Sequence, residues 1–148
     1  MSTTADTLPQ GAPFAIGEAV VAALRAAVDL VGAKVLDNPL RLADLTDGDR
    51  IVFFEDASDG FIDQPGQVQK RVYGFTIGVI NRSTEARRGA HGDYRAAKRA
   101  VRAALPNLAD VLRTGPLREG AVSYRLENID VGGSLVLGSF TVEYRDPT

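Results

Sequence analysis

The stretch Arg71-Val72-Tyr73-Gly74-Phe75-Thr76-Ile77-Gly78-Val79-Ile80 decides the fold. Tyr73, Phe75, Ile77 and Val79 alternate with Gly74, Thr76 and Gly78. A period of two puts the large apolar set on one face of a β-strand, because successive side chains in a strand point to opposite sides. The other face carries two glycines four residues apart and is flat. Such a face invites close approach by another backbone, or else marks a bulge or twist point.

Upstream, Ile51-Val52-Phe53-Phe54 is a short run of strand formers. The polar, Gly- and Pro-containing sequence from Asp56 to Gln69 reads as the loop joining it to the central strand. Farther back, Ile16, Val20, Ala23, Leu24, Ala27, Val28, Val31 and Val35 recur at three- and four-residue spacing, which predicts an amphipathic helix over residues 15–36, stopped by Asn38-Pro39. Residues 37–50 read as turn-like. Residues 1–13 read as a flexible arm without a secretory signal, and 14–148 as one domain, with cytoplasmic synthesis expected.

Downstream, Tyr94, Ala97, Val101, Ala104 and Leu105 share one face of a second helix over residues 83–105, ended by Pro106. Arg95, Lys98, Arg99 and Arg102 share the opposite face, within an arc of about 100°. Leu108, Val111 and Leu112 suggest a further short turn. Val122, Tyr124 and Leu126, then Phe140, Val142 and Tyr144, alternate with polar residues and predict two last strands. Val131-Gly132-Gly133-Ser134 reads as the hairpin turn between them. The order α–β–β–α–β–β predicts an α+β domain with two helices on one face of a four-stranded, mostly antiparallel sheet.

The 148 residues suit one domain, and 45% apolar with 24% charged residues is ordinary globular composition. Without cysteine there is no disulfide, thiolate–metal site or thiol nucleophile, and one histidine, His91, makes no multi-histidine metal site. The common dinucleotide, P-loop, nucleophile-elbow and zinc-protease motifs do not occur. Glu55-Asp56-Ala57-Ser58-Asp59-Gly60 imitates a calcium loop poorly, since Ala57 and Gly66 stand where ligands are needed. His91 reads as exposed and non-catalytic; its neighbour Asp93 does not face it on a helix. The sequon Asn81-Arg82-Ser83 is set aside for want of a signal peptide.

The net charge of −2 conceals strong segregation. Residues 1–63 carry −7, residues 82–118 carry +6 and residues 119–148 carry −3. The basic helix has three readings. It is a solvated face, a phosphate-binding stripe, or one side of a head-to-tail contact between copies, with the acidic segment as the other side.

The element order, the phrase at 71–80 and the helix segment Ala86-Arg87-Arg88-Gly89-Ala90-His91-Gly92-Asp93-Tyr94-Arg95-Ala96-Ala97 resemble the tail terminator proteins of tailed bacteriophages. These are also called tail completion or minor tail protein U-like proteins. The likeness spans residues 14–145 and is one of layout and texture. It implies a non-enzymatic structural protein of a phage or prophage virion tail, assembled in the bacterial host cytoplasm. Such a protein forms a ring, commonly a hexamer, that caps the tail tube, ends its polymerisation and offers a docking surface for the head.

The implied partners are further copies of the chain, the tail tube protein and head–tail connector proteins. DNA would pass through the lumen, and no membrane, metal or cofactor is involved. The resemblance puts Arg95, Lys98, Arg99 and Arg102 at a subunit interface or in the lumen. It makes Asp56, Asp59, Asp63 and Gln67 a contact loop to the tube or a neighbour, beside the flat face of Gly74, Thr76 and Gly78. Alternatives are another neck or connector component, a nucleic-acid binder, or a small ligand-binding domain using Asp56, Asp59 and Asp63.

Overall fold

A computed structural model describes residues 10–39, 42–63, 69–108, 114–126 and 133–146. The elements are α1 (Ala12–Ala26), β1 (Lys34–Asp37), α2 (Leu42–Thr46), β2 (Arg50–Asp63), β3 (Gln69–Asn81), α3 (Ala86–Ala104), β4 (Arg118–Leu126) and β5 (Ser134–Asp146). Single 3-10 turns follow α1 and α3, at Val28–Leu30 and Leu105–Leu108. The α+β class holds, and α1 and α3 pack together on one face of the sheet. Ala12 and Pro13 already belong to α1, with Pro13 in the first turn, where no N–H is needed. Of the predicted arm, residues 1–9 lie outside the described residues, as do Val111, Leu112, Val131 and Gly132.

The sheet has five strands rather than four, in the order β1-β2-β3-β5-β4. β1 is parallel to β2 and the other pairs are antiparallel. The extra strand comes from the predicted end of the first helix. Gly32, at φ 90°, turns the chain after the 3-10 turn, and residues 34–37 run alongside Ile51–Phe54. A parallel pair needs a crossover of about a dozen residues. Residues 38–49 supply it, with α2 inside the stretch read as turn-like.

The other correction is the loop predicted over residues 56–69. β2 continues as strand through Asp63, with its register to β3 shifting between Asp56 and Ser58. Such a bulge lets a polar, irregular sequence stay in the ladder. It lies opposite Phe75 and Gly74.

Both faces of the sheet are apolar at the β1 end. Under the helices, Val52, Phe54, Tyr73, Phe75, Ile77, Val79, Val136, Phe140 and Val142 meet Ile16, Val20, Leu24, Ala90, Tyr94, Ala97 and Val101. The alternation in β3 therefore reads correctly. On the opposite face, Ile51, Phe53 and Ile80 form a second cluster with Leu36, Leu45, Leu135 and Leu137. The Phe53 ring lies against Gly78 where a Cβ would stand. At that position the flat face is a seat for a ring of the same chain. Past it, Thr76 pairs across the ladder with Glu55 and Ser139, and this half of the face is polar.

Candidate interaction surfaces

α3 is held to the sheet by a polar cluster that the sequence reading did not single out. Asp93 is 8% exposed and faces Arg50 at the start of β2. Arg50 donates from Nε to Oδ2 at 3.1 Å and from Nη2 to Oδ1 at 2.9 Å, the two-pronged geometry that suits guanidinium and carboxylate. Its Nη1 also donates to the Val31 carbonyl at 3.0 Å. The Asp93 bond raises the Arg50 pKa against the opposing effect of burial. Asn81 Nδ2 donates to Asp93 at 3.4 Å, and Asn81 Oδ1 accepts from the Ser83 N–H and hydroxyl at 3.0 and 2.6 Å. The sequon asparagine is thus 2% exposed and committed to the turn before α3. The signal for this cluster was an acid on the apolar side of an amphipathic helix, one residue before Tyr94.

The four basic residues of α3 singled out by the sequence, Arg95, Lys98, Arg99 and Arg102, do not act together. Lys98 leans toward β4 and pairs with Glu119 at 3.2 Å. Arg99 leans the other way, reaching Asp29 in the turn after α1 at 3.6 Å, and both of these side chains are more than 60% exposed. Arg95 and Arg102 are exposed. Arg102 borders an open hollow with Leu105, Pro106, Gly115, Pro116 and Leu117. Tyr94 donates to Glu119 at 2.6 Å, and this bond, then Lys98, holds the Glu119 carboxyl below its usual range against the effect of burial. His91 is exposed and stacks on Tyr124 with ring centroids 4.8 Å apart and planes 11° apart. Tyr124 is itself 60% exposed.

The acidic residues sit at the opposite edge of the sheet. Asp56 accepts from the Tyr73 hydroxyl. Asp59 accepts from Tyr144 at 2.8 Å and pairs with Arg71 at 3.1 Å. Both aspartates therefore have structural partners. The calcium-like stretch is strand, and Asp56 and Asp59 border a groove with Phe14, which is 51% exposed. Asp63 ends β2, with its side chain outside the described residues, and Gln67 lies outside them altogether. Gly74 lies opposite Ser58 and Thr141, Thr76 is half-buried, and Gly78 is covered by Phe53. The structure thus places Arg95, Lys98 and Arg102 beside β4, Arg99 toward the turn after α1, Asp56 and Asp59 along β2, and Gly74, Thr76 and Gly78 in the sheet between them.

Tyr73, Tyr94 and Tyr144 all have raised pKa values, chiefly through burial and secondly through the carboxylate each one bonds. A phenol with a raised folded pKa adds stability that is complete below its unfolded value, about 10, and is lost as pH climbs toward the folded value. These three of the four tyrosines are expected to ionise only as the chain unfolds above pH ~10. Phenolate absorbance and circular dichroism should then rise and fall together. Ionisation of three tyrosines near pH ~10 with unchanged circular dichroism would contradict this.

No protein-family model matches the chain, and no curated protein matches it either. Among solved structures, the fold is similar to that of a chain in the virion of a native gene transfer agent particle. The two share 20% sequence identity, the match covers 88% of this chain and 94% of the other, and the TM-score is 0.51. What this chain has in common with that virion component is the fold, over nearly the whole length of both.

Proposed function

We propose that this protein is a structural component of a phage-like particle, and within it a tail terminator. In this role it forms a ring on the end of the tail tube, stops tube growth and presents the surface to which the head is joined. The observation that carries the reading is the near end-to-end fold similarity to a gene transfer agent virion chain. It agrees with the layout resemblance to tail terminators. The charge arrangement supports a ring, because a head-to-tail contact brings two different surfaces of one subunit together, and the basic and acidic groups lie on opposite edges of the sheet. The implied partners are further copies, the tube protein and the head–tail connector, with DNA passing through the lumen during ejection. Assembly would take place in the host cytoplasm.

Native mass spectrometry of the purified chain across micromolar concentrations is the direct test. A single closed oligomer is expected, hexameric if the resemblance holds in detail, and it should loosen as salt screens the charged contacts. Charge reversal of Arg99 and Arg102 should shift the equilibrium toward monomer. A chain that stays monomeric at every concentration, and that neither binds nor caps tail tubes in electron micrographs, would remove the terminator reading.

A further inference from the structure

The sheet ends in two unlike edges. On one side β4, nine residues long, is the outermost strand and has no partner beyond it among the described residues. On the other side β1 covers only Ile51–Phe54 of β2 and the Asn38 side chain accepts from the Asp56 N–H, so residues 57–63 of β2 also lack an outer strand among the described residues. Unpaired strand edges invite another strand, and proteins that need to stay monomeric usually blunt them.

The side chains along the two edges complement each other on both faces of the sheet. The strand registers put Asp56 and Asp59 on the helix-covered face of the β2 edge and Glu55 on the open face. At the β4 edge, Arg95 and Arg102 stand on the helix-covered side, and Arg118 and Arg125 fall on the open face. Exposed rings match as well. Tyr124 is 60% and Phe14 51% exposed, and each lies on the helix-covered side beside its edge. Strand directions also agree. β4 is antiparallel to β5, β5 to β3 and β3 to β2, so β4 runs opposite to β2. A second copy rotated about an axis along the strands would therefore bring its β4 antiparallel to this β2.

We infer that copies of this chain associate by sheet continuation, β4 of one copy pairing with residues 57–63 of β2 in the next. The cations beside β4 face the acids of β2, and Tyr124 packs toward the neighbour's Phe14. The inference rests on the ring reading above and names its contact. Backbone hydrogen bonds join the strands, and the charges fix which edge meets which and suppress like-with-like pairing.

Hydrogen exchange on the full chain, as monomer and as assembly, tests it together with charge variants. Amides in 118–126 and 57–60 should exchange at least tenfold more slowly in the assembly. Glu55→Lys and Arg125→Glu touch none of the bonded clusters described above, and each alone should weaken self-association at least tenfold. The chain carrying both changes should regain it, since the signs are merely exchanged. An assembly whose protected amides lie elsewhere would overturn the edge contact while leaving the ring reading intact. A chain that never associates would overturn both. Protection of 118–126 only on adding a single-stranded oligonucleotide, without self-association, would assign the β4 edge to nucleic acid and overturn the inference.

Discussion

Phe75→Ala is expected to lower the unfolding free energy by about 3–5 kcal/mol, the usual result of removing a fully buried ring. Phe75 is 1% exposed at the centre of the middle strand. Its ring lies 5.4 Å from Phe54, 5.7 Å from Tyr73 and 5.6 Å, nearly parallel, from Phe140. The void left by alanine would be bordered by rings anchored on β2, β3 and β5, so collapse to fill it is limited. Domains have about 5–15 kcal/mol in total, which makes the loss a large share. Phe75→Leu, closer in volume, should cost far less. Urea unfolding measures both, read as a midpoint shift at constant slope. A loss under about 1 kcal/mol for the alanine variant would mean that this ring is not the centre of the core.

Asp93→Ala is expected to cost about 3 kcal/mol, because it leaves the Arg50 guanidinium half-buried without its anionic partner. Arg50 would keep its bonds to the Val31 and Asp29 carbonyls, which compensate only in part. Asn81 would lose its acceptor on α3 as well. The double variant Arg50→Met, Asp93→Leu should recover much of the loss, since an apolar pair of similar bulk avoids the desolvation of two charges. A double variant no better than Asp93→Ala would show that the site needs its bidentate bonds to position α3. A single variant with wild-type stability would show that the pair contributes nothing.

The sequence is most legible where one periodicity rules. β3 reads correctly because Tyr73, Phe75, Ile77 and Val79 all enter the core and the residues between them are small or polar. α3 reads correctly because its apolar and basic sides are separate. The first helix misleads because Val28 and Val31 continue its spacing, yet they are 83% and 74% exposed on the turn that follows it. Apolar spacing alone does not tell a buried valine from an exposed one. The stretch from Asp56 to Gly60 looks like a loop because its stabilising partners are remote. Tyr73 and Tyr144 reach it from β3 and β5, and no local pattern announces bonds across 17 and 85 residues. The basic stripe of α3 is visible as composition, but its division between Glu119 and Asp29 depends on what stands to either side of the helix. Arg50 is isolated in the sequence and gains meaning only when β2 delivers it to Asp93.

Asn38 is the one described non-glycine residue with positive φ, at 45°. Its N–H donates to the Phe54 carbonyl at 2.7 Å, and its Oδ1 accepts from the Asp56 N–H at 3.0 Å. The side chain stands in for the next rung that β1 would have made, and Pro39 follows it. Asn38 thereby ends β1 after four rungs, as a cap ends a growing polymer. How much of the long β2 a molecule covers with its own chain, and how much it leaves to others, is set at this single turn.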